Sequence, residues 1–198
     1  MIKIHQKLDH PLEHKTECLI LVCVEEKKPS GTLKKFNDEI AGAISHAFEN
    51  KRFGGKPGQT LLLNSNGKAS NLLLVGIGKS KDVTAEKICQ AAGTAAKLAE
   101  QSNFKSIAAD LSAFEGIAKG KGGFYRELAG AMAEGVGLAL YHFDNYKSRD
   151  EKDGPPSRIE KLTLLTASKS RQASTEKSIA RAEKIIDAVH TARDLISH

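Results

Sequence analysis

Gln59-Thr60-Leu61-Leu62-Leu63-Asn64-Ser65-Asn66-Gly67-Lys68-Ala69-Ser70-Asn71-Leu72-Leu73-Leu74-Val75-Gly76-Ile77-Gly78-Lys79 contains two unbroken apolar runs, at 61–63 and 72–75. Each is too short for a helix, and Asn64-Ser65-Asn66-Gly67 between them consists of residues that tolerate turn geometry. The pattern predicts a β-hairpin. Because both runs are apolar on either face of a strand, the sheet they enter must be covered on both sides, as in α/β domains.

Working outward, Ile2-Lys3-Ile4-His5 alternates and predicts a strand at an edge or entry of the sheet over 2–8. Cys18-Leu19-Ile20-Leu21-Val22-Cys23-Val24 predicts a buried central strand, closed by Pro29-Ser30-Gly31. Leu33, Phe36, Ile40, Ala43, Ile44, Ala47 and Phe48 recur at helical spacing and predict one helix across them. Lys51-Arg52-Phe53-Gly54-Gly55-Lys56-Pro57-Gly58 must be a flexible loop, since three glycines and a proline interrupt it.

Beyond the hairpin, Thr84 and Glu86 mark a helix start, and Ile88, Ala91, Ala92, Ala95, Leu98 and Ala99 form a small-residue stripe suited to close packing. A strand at 106–111 and a mobile glycine-rich loop at 116–123 are expected next, then a helix from Tyr125 to Phe143. Gly130, Gly135 and Gly137 in that helix each cost about 1 kcal/mol relative to alanine, so tight packing must compensate. A polar loop over 146–158, a strand at 161–166 and a last helix from about Ser174 complete the pattern. Alternating strands and helices predict an α/β fold, a mixed β-sheet flanked by helices on both faces.

A 40% apolar share of 198 residues is enough for a proper core. No run approaches the roughly 18 apolar residues of a membrane span, and Met1-Ile2-Lys3-Ile4-His5 does not open a signal peptide, so a cytoplasmic chain with no membrane partner is expected. Cys18, Cys23 and Cys89 lack metal-type spacing and are expected as reduced thiols. The net charge of +6 is spread among interspersed acids and bases. Lys51, Arg52 and Lys56, close together in one loop, are the candidate nucleic-acid contacts, although few aromatics are available to stack on bases.

Gly76-Ile77-Gly78-Lys79-Ser80 ends like a phosphate loop, but Leu73 stands where its first glycine belongs. Lys81 stands where a dinucleotide fingerprint needs its third glycine. His10 and His14 are four apart, but Pro11 breaks any helix there, and an exposed pair in a loop is expected. Glu115, Glu134 and Asp144 are scattered and do not make an acid and base pair. No catalytic residue, metal ligand or cofactor site is assigned in this chain.

Several stretches in fixed order carry a resemblance. They are Phe53-Gly54-Gly55-Lys56-Pro57-Gly58-Gln59-Thr60-Leu61-Leu62-Leu63, Leu72-Leu73-Leu74-Val75-Gly76-Ile77-Gly78-Lys79, Ala133-Glu134-Gly135-Val136-Gly137-Leu138, Tyr141-His142-Phe143-Asp144-Asn145-Tyr146-Lys147 and Ala192-Arg193-Asp194-Leu195. Together they resemble the N-terminal domain of the leucyl aminopeptidase (cytosol aminopeptidase) family. The resemblance implies a macro-domain-like fold, followed in the family by a catalytic domain that holds two divalent metals, zinc or manganese, and releases N-terminal amino acids from peptides. It also implies a hexamer, in which this domain makes oligomer contacts and regulates access. The family's metal-binding string Asn-Thr-Asp-Ala-Glu-Gly-Arg does not occur here, so this chain is expected to be inactive alone.

The expected organisation is a macro-like domain over 1–173 and a helix over 174–198 leading toward the catalytic domain, its first partner. The alternative is a nucleic-acid-binding or ADP-ribose-binding macro-like module, with DNA as the possible partner of Lys51, Arg52 and Lys56. For ADP-ribose the candidate glycines are Gly76, Gly78, Gly120, Gly122 and Gly123, and no measurable affinity is expected.

Overall fold

A computed structural model describes residues 2–142, 159–166 and 168–196. Its strands are β1 (Lys3–Leu8), β2 (Cys18–Val24), β3 (Thr60–Asn64), β4 (Asn71–Gly78), β5 (Ser106–Asp110) and β6 (Lys161–Thr166). Its helices are α1 (Gly31–Glu39), α2 (Ala43–Glu49), α3 (Ala85–Gln101), α4 (Ser112–Ile117), α5 (Phe124–Ala139) and α6 (Lys169–Ile196). The six strands form one sheet in the order β1-β6-β5-β2-β4-β3. The expected hairpin is present: β3 pairs antiparallel with β4, Leu62 opposite Leu73, and every other pairing is parallel.

The pleat sorts the apolar residues into two cores. Cys18, Ile20 and Val22 of β2, with Leu73, Val75 and Ile77 of β4, face the layer of α3, α5 and α6. Leu19, Leu21 and Cys23, with Leu72 and Leu74, face α1 and α2 through Phe36, Ile44 and Phe48. Helices thus cover both faces, which is what the unbroken apolar runs require.

The single helix expected over Leu33 to Phe48 is two. Ala41 and Gly42 adopt φ of 52° and 81°, which ends α1 and redirects the chain. The buried Asn37 makes the break possible, because its Oδ1 accepts from the Ser45 N–H at 2.7 Å and caps α2. Part of the glycine-rich segment expected as a loop is the helix α4, whose Phe114 and Ile117 are buried. Helix α5 ends at Ala139, short of Phe143, and α6 begins at Lys169, ahead of Ser174. The loop expected over 146–158 and the carboxylate of Asp144 lie outside the described residues. Thr84 caps α3 as expected, accepting from the Lys87 N–H at 3.2 Å.

The glycines of α5 mark where helices meet. A Cβ at Gly135 would strike the Cys89 carbonyl of α3, and one at Gly137 would strike the Ile186 side chain of α6. The α6 helix is also pinned by Ser178, whose hydroxyl donates to the Arg126 carbonyl at 2.9 Å.

Candidate functional site

Strand order determines where a ligand crevice opens. The chain leaves β2 toward β4 on one side, and leaves β5 toward β6 on the other, so the carboxyl ends of β2 and β5 diverge. Such a switch point leaves a gap above the strand ends, the usual ligand position in open α/β sheets. Here it is a cavity of about 350 Å³ lined from β2, β5, α1 and α4.

Its floor carries Asp110, the last residue of β5 and 4% exposed. Ser112 holds the carboxylate, its N–H donating to Oδ1 at 2.9 Å and its hydroxyl to Oδ2 at 2.6 Å. Burial pushes the Asp110 carboxyl above the ordinary carboxylate range, and the two Ser112 bonds pull the other way. Ser112 Oγ also lies 3.1 Å from Thr32 Oγ1, which joins α4 to α1 across the crevice. Glu26, Ser30 and Ser80 add polar groups, and Leu33, Phe48 and Ile117 add apolar walls. No lysine or arginine is among the lining residues described. The cavity therefore offers hydroxyl and carboxyl groups to a small polar ligand, and no cation to a pyrophosphate.

The glycines expected near a nucleotide lie elsewhere. A Cβ on Gly76 would strike the Lys56 carbonyl, and the N–H of Gly78 donates to the Gly55 carbonyl at 2.8 Å, so their space is taken by the chain's own 55–57 segment. Gly120, Gly122 and Gly123 sit around the turn before α5, outside the crevice. Of the residues that do line it, Asp110 ends β5, Ser112 begins α4 and Thr32 lies in the first turn of α1; their one sequence signal is the pair of polar residues at and just after the end of β5.

Lys51, Arg52 and Lys56 are all exposed on the segment between α2 and β3. That segment is not the flexible loop expected. Gln59 Oε1 accepts from the Gly54 and Lys56 N–H groups at 3.0 Å each, and Phe53 is buried edge-on against Phe48 at 5.6 Å. His14 corrects another expectation: it is buried, with Nδ1 2.9 Å from Asp9 Oδ2, while His10 is exposed. Among the described residues, no three His, Cys, Asp or Glu side chains are grouped to hold a metal. Cys18 and Cys23 are buried free thiols, and Cys89 is half-buried. Desolvation, aided by Glu17, pushes the Cys18 thiol up to about 12.

Comparison with known proteins assigns the fold. The family described as "Cytosol aminopeptidase family, N-terminal domain" matches residues 20–150. The chain belongs to the cytosol aminopeptidase family. A probable cytosol aminopeptidase of Geobacter sp. (strain M21) is 32% identical over all of this chain, which covers 38% of that relative. The cytosol aminopeptidase of Pseudomonas aeruginosa is 35% identical over 91% of this chain, covering 35% of its own length.

Among solved structures, a tomato leucine aminopeptidase mutant matches with a TM-score of 0.81 at 23% identity, over 100% of this chain and 38% of that one. The bottromycin maturation enzyme BotP in complex with Mn matches at 0.66 and 21% identity, over 92% and 32%. A Trypanosoma brucei macrodomain in complex with ADP matches at 0.61 and 11%, over 90% and 68%. At these identities the likeness concerns the fold, which is the macro-domain-like one. This cytosol aminopeptidase domain has no helix among its described residues long and apolar enough to cross a membrane.

Proposed function

We propose that this chain is the non-catalytic N-terminal domain of a two-metal exopeptidase that releases N-terminal amino acids, and that it shapes oligomer contacts and access to the catalytic domain. The observation that carries this reading is coverage: the match is to the family's N-terminal domain, and the chain spans only 38% of a relative named as the whole aminopeptidase. The described residues do not fit a pair of divalent metals, so no metal chemistry is derived for them. Zinc or manganese belongs, on this reading, to a catalytic domain, as the manganese named with BotP supports.

In this reading residues 1–173 form the macro-like unit and 174–198 lead toward the catalytic domain. The exposed apolar end of α6, with Leu195 73% and Ile196 85% exposed, supports a docking role there. The site of action is the cytoplasm, in keeping with the relatives' name. Light scattering on this chain and on a full-length relative tests the assembly role. The relative should form a hexamer and this chain a smaller species; a stable hexamer of this chain alone contradicts the proposal.

A second reading, DNA binding, is favoured by one observation: Lys51, Arg52 and Lys56 are exposed on one pinned segment, and none forms an ion pair among the described residues. Exposed cations grouped in this way are the usual footprint for phosphates.

A further inference from the structure

A second, smaller cavity lies where the first turns of α5 and α6 meet, and its chemistry is opposite to that of the crevice. About 200 Å³ in volume, it is lined by Lys121, Arg126, Arg171 and Ser174, with Tyr125 and Gly123 beside them. Three cations from a turn and two helices converge on it, and no carboxylate is among the lining residues described. None of the three forms an ion pair among the described residues. Like charges held around one concavity repel each other, and an anion relieves that repulsion.

We propose that this cavity binds a terminal phosphate group, as inorganic phosphate or as a phosphate monoester. Arg171 is held half-buried with its guanidinium 4.7 Å above the Tyr125 ring, which keeps its donor fork ordered before any ligand arrives. A planar fork matches two phosphate oxygens at once. Lys121 is similarly ordered, its Nζ 4.9 Å over the Phe124 ring. The Ser174 hydroxyl is a further donor. Gly123, the cap residue of α5, offers no side-chain bond to the helix's first turn, where the Phe124 N–H donates to the Lys121 carbonyl at 3.3 Å. The volume favours the phosphate alone, being below the roughly 300 Å³ at which pockets begin to hold drug-sized ligands.

The test is calorimetric titration of the whole chain with inorganic phosphate, against potassium chloride of matched ionic strength. Saturable heat with phosphate and none with chloride is expected. Arg126→Ala and Arg171→Ala should each weaken binding by about tenfold, and Lys121→Ala by a smaller factor. Binding should also weaken with falling pH, as phosphate takes up a proton and loses its second charge. Circular dichroism checks that each variant is folded; should Arg171→Ala unfold, Lys121→Ala on its exposed turn carries the comparison. Heat that follows ionic strength, or affinity unchanged in the folded variants, overturns the proposal. A short single-stranded DNA with and without a 5′-phosphate, titrated into the Lys51→Ala, Arg52→Ala, Lys56→Ala variant so that the other basic segment does not contribute, separates the sources. Binding that requires the terminal phosphate supports the assignment, and equal binding of both overturns it. Failure here leaves the aminopeptidase-domain reading untouched, because none of these residues enters it.

Discussion

Gly135 of α5 lies against the Cys89 carbonyl of α3 with no room for a side chain between them. The contact explains why a helix weakened by glycines persists: the absent side chain lets two backbones pack, and α3 contributes the alanines that make the approach possible. Gly135→Ala is expected to destabilise the fold by about 1–3 kcal/mol, because the obstacle is backbone and cannot swing aside. Gly130→Ala is the control. Its nearest neighbour would be Ser178 Cβ at 3.8 Å, an ordinary contact, so helix propensity should make it neutral or stabilising by up to about 1 kcal/mol. Thermal unfolding of both variants checks the contrast.

Asp110 gives a pH signature. Its folded carboxyl titrates above the ordinary 3.8, so the folded state holds the proton more tightly than the unfolded chain does. The group therefore favours the fold most at low pH, and that contribution is lost as pH rises through the raised value. Asp110→Asn does not titrate. Its stability relative to the parent should consequently improve between about pH 4 and pH 7, as urea unfolding at the two values will measure. A difference independent of pH would refute the assignment.

ADP-ribose should not bind measurably. Asp110 and Glu26 face the crevice with no lysine or arginine among its described lining, and Gly76 and Gly78 are occupied by the chain's own backbone. Calorimetric titration checks this. Saturable binding weakened by Thr32→Ile would show that the crevice takes a nucleotide after all.

Much of the sheet was legible because its signals are local. Leu61-Leu62-Leu63 and Leu72-Leu73-Leu74-Val75 flank turn residues, and the apolar run from Cys18 has nowhere to lie except in the middle. The break between α1 and α2 was not legible, since Ile40 and Ile44 keep helical spacing across it and Ala41 carries no sign of a positive φ. The reason for it lies in the buried Asn37 cap. The crevice was hidden for a different cause. Thr32 and Ser112 touch across 80 residues of sequence, and only the strand order, with β5 inserted beside β2, brings them together. Half of the histidine reading failed likewise, because His14 is buried by its tie to Asp9 and not by any apolar pattern.

DNA binding through the pinned segment predicts a steep salt dependence. A gel-shift titration should lose affinity between low and moderate salt, and the combined Lys51→Ala, Arg52→Ala, Lys56→Ala variant should reduce the slope by up to about 0.9 per phosphate contact removed. No shift even at low salt removes this reading.

The most direct measurement is turnover of a leucyl chromogenic amide by this chain, purified alone and supplied with manganese or zinc. The account predicts none above the buffer rate. Hydrolysis that co-purifies with the chain and scales with its concentration would contradict it.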